Sequence, residues 1–472
     1  MVFNSRTFLV FYAAVLALYW VLPMRYQNRL LLLASYYFYA SWDIHFLPLL
    51  ILTSAVGYGL GIAIGNAKTL SSRKAWLASG VVFNIGILSY FKYSAFLADG
   101  FAEISRSLGL PMEAPLWNVV LPIGISFYLF HILSYLIDIY RGKSVPNRDF
   151  VSVSLFVAFF PLLVAGPIER AGHLLPEIDR PRKVDLQVLV RAADLILWGF
   201  FKKVFIADNL AGFVSPVFAH PAGYSGLSIL LATYAFAIQI YCDFSGYSDI
   251  ARGVSKSMGF ELNLNFNLPY FAKYPSDFWK RWHISLSSWL RDYLYIGMGG
   301  NRGGTVKTYR NLMATMLLGG LWHGANWTFL LWGCFHGAIL ILQRLLEPLA
   351  AFIPGQGVKA KAAAGAQILL MFHVTCFGWL IFRSDTIGGF LAMAANLAGG
   401  FAWDGDAAIL ARALVKYGWF LFAVQIIQHA RRDLKFFPLG WIEARWAFYM
   451  FLLCSIFFMG DFGNAEFIYF QF

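Results

Sequence analysis

The chain has 472 residues, of which 59% are hydrophobic, 18% aromatic and only 13% charged. Such a composition excludes an ordinary soluble protein. The net charge of +12 would suit a nucleic-acid partner, but the basic residues fall in the loops between apolar stretches and form no long basic tract. No nucleic-acid partner is therefore expected.

Apolar windows that reach or approach the length needed to cross a bilayer recur along the whole chain. A membrane-spanning helix needs roughly 20 apolar residues. The first window lacks the basic start and the cleavage site of a signal peptide, so we expect it to stay as a helix. We predict an all-α polytopic membrane protein with about 11 to 13 membrane-embedded segments. The windows are 8–23, 29–42, 44–65, 76–98, 119–139, 150–168, 192–206, 226–247, 311–343 (long enough for two passes or one broken pass), 366–382, 414–428 and 444–462.

The charges of the loops predict which side of the membrane each loop occupies, because cytoplasmic loops collect Lys and Arg. Loop 66–74 has three basic residues and no acidic one, and loop 141–149 has three basic residues and one acidic one. Loop 99–118 is mainly acidic, and loop 207–225 has no Lys or Arg. We expect the first two loops in the cytoplasm, and the other two outside together with the N-terminus.

Residues 150–168 break this alternation, because the loops on both sides of them look cytoplasmic. The segment contains Pro161, Gly166 and Pro167. We predict a re-entrant hairpin that these residues break at membrane depth. Such a backbone is tolerated only where protein or a cavity covers it.

The largest stretch without a membrane window is 251–310, which carries nine basic residues against three acidic ones and is therefore expected in the cytoplasm. Within it, segment 274–295 opens with Pro275 and the N-cap candidates Ser276 and Asp277 and then continues with helical periodicity. We predict an amphipathic, aromatic-rich helix with His283 on its apolar side.

The stretch "GGLWHGANWTFLLWGCFHG", residues 319–337, places His323 and His336 among Gly, Leu, Phe and Trp. A histidine on an apolar face is ordinarily a hydrogen-bonded core residue, whereas an ionisable group at membrane depth is usually functional. Asn326 follows His323 by three residues, which predicts a shared helix face where it orients the imidazole or binds a carbonyl oxygen. His336 is expected to lie away from His323 and to be the weaker candidate, unless Gly333 breaks the helix.

The remaining polar motifs are less specific. "YCDFSGYSD" (241–249) is placed at the cytoplasmic end of a helix, where a helix cap and a substrate-lining role both remain open. "GGNRGG" (299–304) is interpreted as a turn. The four cysteines are scattered in apolar surroundings, so neither a disulfide framework nor a metal site is predicted.

Several motifs together resemble those of the membrane-bound O-acyltransferase (MBOAT) family, and in particular its alginate O-acetyltransferase, AlgI-like branch. The resemblance implies an MBOAT-type fold in a single integral-membrane domain, residues 1–472, with re-entrant elements and cytoplasmic amphipathic helices around a central cavity. It also implies that His323 is the catalytic histidine and that His283 is the second important position. The motifs are "MVFNSRTFLVF", "LPIGISFYLFHILSYLIDIYRG", "FPLLVAGPIER", "WGFFKKVFIADNLA", "YCDFSGYSDIARG", "FWKRWHISLSSWLRDYLY", "GGNRGG", "GGLWHGANWTFLLWGCFHG" and "FIYFQF".

The chemistry implied by the family suits these residues. Acyl transfer from a thioester to a hydroxyl needs a base for the hydroxyl proton and a donor for the carbonyl oxygen. We assign His323 as the general base, with His283 and Asn326 orienting or stabilising it. No Gly-x-Ser-x-Gly motif or cysteine nucleophile competes for the role.

The resemblance further implies acetyl-CoA as the acyl-donor substrate, with no tightly bound cofactor and no metal. We expect the donor's phosphates to be bound on the cytoplasmic face by Lys280, Arg281 and Arg291. The implied setting is the bacterial inner membrane and its lipids. The implied partner is an extracytoplasmic SGNH-type acetyltransferase or a polysaccharide-modification complex that receives the acetyl group.

The C-terminal tail, residues 463–472, is expected on the extracytoplasmic side of the membrane and matches F-x-Y-x-x-F with Phe467, Tyr469 and Phe472. Tyr469 is a candidate acyl carrier, because a phenol with a pKa near 10 is a better leaving group than a sugar hydroxyl. The alternative is that the aromatic tail simply anchors in the membrane interface.

For the whole chain, the predicted function is O-acetylation of an exported polysaccharide such as alginate. D-alanyl transfer to teichoic acid and a non-catalytic transporter or flippase remain the alternatives.

Overall fold

The computed structural model describes residues 1–110, 119–183, 185–347, 357–435, 442–463 and 467–468. Within these ranges every regular element is a helix, which confirms the all-α prediction. In chain order the α-helices are α1 (Arg6–Val21), α2 (Met24–Ala40), α3 (Leu47–Asn66), α4 (Leu70–Ser107), α5 (Ile125–Tyr140), α6 (Phe150–Ala158), α7 (Phe160–Leu163), α8 (Ala171–Asp179), α9 (Leu186–Phe200), α10 (Asp208–Ala219), α11 (Gly226–Ser257), α12 (Pro275–Trp279), α13 (Ile284–Trp289), α14 (Thr305–His323), α15 (Trp327–Leu346), α16 (Gly357–Arg383), α17 (Ile387–Gly399), α18 (Gly405–Arg431) and α19 (Ile442–Met459).

Several of these helices are long and apolar enough to cross a membrane, as expected for a multi-pass membrane protein. In the described ranges seven helices meet that condition by length and hydropathy, and α1, α5 and α17 are shorter apolar helices. The seven are α3 with the 3-10 turn before it, α4, α11, α15, α16, α18 and α19. Helices extend into two segments that were predicted as loops, 99–118 and 207–225. Helix α4 continues to Ser107, and α10 occupies Asp208–Ala219, so each connecting loop is shorter than predicted.

The chain packs as two compact units, a first unit of residues 1–196 and 251–263 and a second unit of residues 197–250 and 264–472. The expectation of a single domain stays a prediction. In the first unit α3 packs against α4, α5 and α6, and α2 packs against α6 and α7.

The predicted re-entrant segment is broken into short buried pieces in the first unit. The Asp149 carboxylate caps α6 through the Val151 and Ser152 amides. The chain turns at Phe159 between α6 and α7, and Pro161 lies in the first turn of α7. Residues 152–169 are buried, so protein covers this irregular backbone, as its polar groups require in a membrane.

The end of this segment carries a polar cluster around Glu169, whose side chain is fully buried. Its carboxylate accepts hydrogen bonds from the Asn263 backbone N–H (2.7 Å) and from Asn263 Nδ2 (2.6 Å). It also pairs with His173 Nδ1 at 2.8 Å, and the Glu169 N–H donates to His131 Nε2 at 3.1 Å. The cluster satisfies the buried carboxylate and joins α5, α8 and segment 258–263.

In the second unit α14 and α15 form a closely packed hairpin that positions the predicted catalytic histidine. Their backbones approach where glycines face each other: a Cβ on Gly320 would lie 2.2 Å from the Phe329 carbonyl oxygen, and a Cβ on Gly333 would lie 2.5 Å from the Met316 carbonyl oxygen. Helix α16 packs against α15. The window 311–343 therefore contains two helices, one of the two possibilities expected for it.

Candidate active site

His323 is the last residue of α14 and has an exposed fraction of 6%. The chain becomes extended at Gly324, where a side chain would collide with Phe329, since a Cβ would lie 2.2 Å from its Cε2 atom. The imidazole is enclosed by aromatic rings, with centroid distances of 4.9 Å to Trp322, 5.0 Å to Trp332 and 5.2 Å to Phe382. These contacts restrict the imidazole to one region and exclude bulk water from it.

His336 is closer to His323 than the sequence predicted. Both imidazoles contact the Trp332 indole, at 5.0 Å for His323 and 4.6 Å for His336. The prediction that His336 lies away from His323 assumed a continuous helix. It is wrong because residues 324–326 separate α14 from α15 and reverse the chain. The structure thus removes the geometric reason for ranking His336 below His283.

His283 and His323 both contact the Trp322 indole. The centroid distance is 5.9 Å for the His283 imidazole and 4.9 Å for the His323 imidazole. The single amphipathic helix predicted for 276–295 is not continuous. It is broken into α12, α13 and the π-helix Leu290–Tyr295, with His283 in the left-handed region at φ 43°. His283 nevertheless lies in an apolar environment, as predicted, because its exposed fraction is 1%.

Asn265 holds His283 and was missed by the sequence analysis. Its Oδ1 atom lies 3.2 Å from His283 Nδ1 and accepts from Ser285 Oγ at 2.9 Å, while its Nδ2 donates to Ser248 Oγ at 3.1 Å. An amide oxygen accepts only, so Nδ1 of His283 carries the proton and the lone pair is on Nε2. The available signal was the alternation of Asn263, Asn265 and Asn267 with apolar residues.

Burial also fixes the charge of His283. The loss of hydration lowers the pKa of the His283 imidazole to about 3. It is therefore neutral near pH 7 and a weak base, which suits an orienting or hydrogen-bonding role.

The predicted role of Asn326 rests on a geometry that the structure contradicts. Asn326 is not on the same helix face as His323, because α14 ends at His323 and Asn326 is the N-cap of α15. Its Oδ1 accepts from the Thr328 N–H at 3.1 Å, and its Nδ2 donates to the Asp385 carbonyl oxygen at 2.9 Å. Its amide thus caps a helix and ties it to the turn after α16.

Of the three predicted donor-binding cations, Arg281 alone lines the basic cavity among the described residues. Arg281 lines a cavity of about 600 Å³ together with Lys273 and Arg432. Lys280 and Arg291 do not line it; Lys280 ends α12, and Arg291 Nε pairs with Asp292 Oδ1 at 2.8 Å on an exposed surface.

The motif "YCDFSGYSD" lies in the interior of α11, not at its end as expected. Asp243 is buried and forms an ion pair with Lys203 at 2.7 Å, and Lys203 also pairs with Asp208 at 2.8 Å. The other oxygen of Asp243 accepts a hydrogen bond from the Ile468 backbone N–H at 2.7 Å. A cap role for Asp243 is therefore wrong, and this carboxylate instead joins α11 to the C-terminal tail.

Two described residues of the tail, Phe467 and Ile468, lie in the second unit near His283. Phe467 and Ile468 are 4% and 2% exposed. The Phe467 ring is 5.8 Å from Phe244, and Phe244 meets the His283 imidazole edge-on at 4.6 Å. Tyr469 and Phe472 lie outside the described residues.

Comparison with known proteins identifies relatives over most of the chain. Residues 145–382 match the model of the membrane-bound O-acyltransferase family, MBOAT. The chain is 45% identical to the "Probable alginate O-acetylase AlgI" of Azotobacter vinelandii, over 82% of this chain and 76% of that protein. It is 32% identical to the "Peptidoglycan O-acetyltransferase" of Helicobacter pylori, over 84% and 80%. It is 28% identical to the "Teichoic acid D-alanyltransferase" of Bacillus subtilis, over 57% and 70%.

Proposed function

Since the chain belongs to the membrane-bound O-acyltransferase family, we propose that it moves acetyl groups from acetyl-CoA across the bacterial inner membrane for O-acetylation of an exported polysaccharide, alginate being the favoured polymer. The observation that carries the proposal is the enclosed His323 beside a second histidine whose tautomer is fixed by Asn265. The alginate O-acetylase of Azotobacter vinelandii covers far more of the chain, at higher identity, than the D-alanyltransferase of Bacillus subtilis. Acetyl transfer is therefore favoured over D-alanyl transfer, and a transporter without chemistry does not fit an O-acyltransferase.

In the proposed reaction His323 is the general base. It takes the proton of the acceptor hydroxyl as the hydroxyl oxygen attacks the thioester carbonyl carbon. The new C–O bond forms an ester, the C–S bond breaks, and the thiolate of the donor leaves and takes up a proton. The low pKa of His283 argues against a second base, so His283 is assigned to orientation or to contact with the substrate. The aromatic enclosure reduces hydrolysis of the thioester by excluding water.

Delivery of the acetyl group to the outer face is proposed to use Tyr469 and an extracytoplasmic SGNH-type acetyltransferase. The support for Tyr469 is the position of the residues just before it, because Phe467 packs against Phe244, which contacts His283. Tyr469→Phe keeps the aromatic ring and removes only the hydroxyl. We expect this variant to stop polymer acetylation in cells. Full acetylation by this variant would exclude Tyr469 as the acyl carrier and would support the alternative that the tail anchors in the membrane interface.

The experiment that tests the function uses purified protein and acetyl-CoA labelled in the acetyl group. We expect thioester cleavage that depends on a hydroxyl acceptor, with the label recovered as an ester. A matched reaction offers a D-alanyl thioester. An intact acetyl donor together with consumption of the D-alanyl donor would overturn the proposal.

A further inference from the structure

One face of α18 lines two clefts in the second unit that adjoin at Val415. The first cleft has a volume of about 350 Å³, and aliphatic and aromatic side chains of α11, α16 and α18 line it. The second cleft has a volume of about 470 Å³, lies nearer the start of α18 and is lined by Arg412 and Lys416. Because Val415 lines both, we treat the two clefts as one site and call it the α18 groove.

The groove follows one stripe of the helix. Its residues Ala408, Arg412, Val415, Trp419 and Phe422 recur every three or four positions, so they share a face of α18. With a rise of about 1.5 Å per residue, the stretch from Arg412 to Phe422 covers about 15 Å along the axis. That length is half of a hydrocarbon core of about 30 Å. The groove thus has cations at one end and apolar side chains over the depth of one leaflet.

The two ends of α18 predict which leaflet this is. The Ser228 hydroxyl donates to Asp404 Oδ1 at 3.1 Å, so the start of α18 lies close to the end of segment 207–225, which is predicted outside. The other end carries Arg431 and Arg432, which predicts the cytoplasmic side. The cationic end of the groove is therefore expected at the headgroups of the outer leaflet.

The two cations of the groove are accessible and are not neutralised by a carboxylate. Arg412 and Lys416 are exposed and one helical turn apart. Over the described ranges neither forms an ion pair, and no Asp or Glu lines their cleft. Arg412 Nε donates to the Ala408 carbonyl oxygen at 3.2 Å, which orients the guanidinium. Trp403 lines the same cleft, and Trp beside Arg and Lys is typical of the headgroup level.

The apolar cleft has the chemistry of a site for a hydrocarbon chain. Tyr234 of α11 packs on Phe372 of α16 with ring centroids 5.6 Å apart, which joins these helices at the cleft. On α18, Val415 and Trp419 have exposed fractions of 68% and 54%. These side chains are large and apolar and are not covered by protein, so a concave apolar surface faces the membrane.

From this arrangement we infer that the α18 groove binds an anionic phospholipid, phosphatidylglycerol, with its phosphate at Arg412 and Lys416 and one acyl chain in the apolar cleft. A headgroup with a net negative charge is favoured over phosphatidylethanolamine, because the ammonium group of the latter would lie close to two cations. The inference does not depend on the proposed acetyl transfer.

The test measures lipid binding to full-length, delipidated protein in detergent by native mass spectrometry, which counts bound lipids and protein copies. Wild type is expected to bind a first dioleoyl-phosphatidylglycerol at least about tenfold more tightly than dioleoyl-phosphatidylethanolamine. Arg412→Gln with Lys416→Gln should reduce this preference to less than about threefold. The charge-conserving exchange Arg412→Lys with Lys416→Arg should keep it.

The matched control is Lys359→Gln with Lys361→Gln, which removes two exposed charges at the start of α16 that line neither cleft. This control should keep the wild-type preference. Equal affinity of wild type for the two lipids overturns the inference, and so does an unchanged preference in the Arg412→Gln, Lys416→Gln protein. An equal loss in the control also overturns it, since the effect is then one of net charge.

Two further measurements separate a lipid from other occupants of the groove. Val415→Trp fills the point where the clefts adjoin and is expected to weaken phosphatidylglycerol binding, whereas unchanged binding contradicts the placement of the acyl chain. Glycerol 3-phosphate in excess is expected to leave the lipid bound, and displacement would make the groove a site for free phosphate. A dimer that dissociates in the Arg412→Gln, Lys416→Gln protein, without any lipid preference, would assign the groove to a second copy of the chain.

Discussion

At the scale of single residues, the two histidines beside Trp322 both contact aromatic rings. The Nδ1 atom of His283 is also bonded to the Asn265 amide oxygen. The same amide oxygen also accepts from Ser285. Orientation of His283 therefore depends on a residue that need not touch the substrate, and Asn265 is a positioning residue.

Substitution of Asn265 by Leu is predicted to lower kcat by roughly ten- to a hundredfold, because the His283 tautomer and orientation are no longer fixed. The KM for the donor should change less than about twofold. The matched control is Ser248→Ala, which removes the partner of Nδ2 and leaves the Oδ1 contact to His283. Steady-state acetyl transfer by folded protein measures both. Equal loss in the two variants would point to a general packing defect and contradict the positioning role.

His173 gives a pH dependence whose sign follows from its neighbours. The hydrogen bond to Glu169 raises the pKa of the His173 imidazole, burial and Arg180 act against this, and Glu177 adds to it. A raised folded-state pKa contributes stability that is complete below the unfolded value near 6.5 and is lost as the pH rises through the folded-state pKa. We predict that wild type is more stable than His173→Gln at pH 5 to 6 and that the difference shrinks at alkaline pH. Melting temperatures in detergent test this, and a difference that grows with pH would contradict it.

At the scale of elements, the α14–α15 hairpin sets the position of His323 through close backbone contact. A Cβ on Gly320 would meet the Phe329 carbonyl oxygen, which cannot move without displacing α15. A Cβ on the adjacent Gly319 would meet only the Leu290 Cδ1 atom at 3.2 Å, the end of a flexible side chain.

Gly320→Ala is therefore predicted to lower the free energy of unfolding by about 1 to 3 kcal/mol and to reduce transfer activity, since it separates the two helices. Gly319→Ala is the matched control, with a smaller effect on both. Denaturant unfolding in detergent and activity at equal folded protein measure the pair. A larger defect in Gly319→Ala would contradict this account of the hairpin.

The elements also show how far the sequence could predict the structure. The length and number of the apolar windows correctly indicated an all-α membrane protein, and Pro161, Gly166 and Pro167 indicated a broken, covered segment. Periodicity failed at 276–295 because the left-handed backbone at His283, which a β-carbon disfavours, is imposed by tertiary contacts such as those of Asn265. It failed again at Gly324–Asn326, where a cap residue was interpreted as a helix-face residue.

At the scale of the whole molecule, transfer across a membrane requires that donor and acceptor sides be distinct. The charges of the loops predict that "GGNRGG" lies on the cytoplasmic side and that the turn after α10 lies outside. Both contain exposed residues, Asn301 and Ala222.

Cysteine labelling tests this topology in a background that lacks the exposed Cys334 and Cys454. In spheroplasts, a membrane-impermeant maleimide is predicted to label Ala222→Cys and to label Asn301→Cys only after permeabilisation. Each variant is the control for the other. Labelling of Asn301→Cys in sealed spheroplasts would contradict the predicted orientation and the cytoplasmic entry of the donor.

The central claim is that this membrane O-acyltransferase uses His323 as its base, and the most direct measurement compares acetyl transfer by wild type and His323→Ala at equal amounts of folded, membrane-inserted protein. The matched control is His373→Ala, which removes an exposed imidazole that bonds to Tyr234. Loss of a positioned base predicts a rate lower by roughly 10² to 10⁴-fold for His323→Ala, with His373→Ala close to wild type. Near-normal transfer by folded His323→Ala would contradict the assignment.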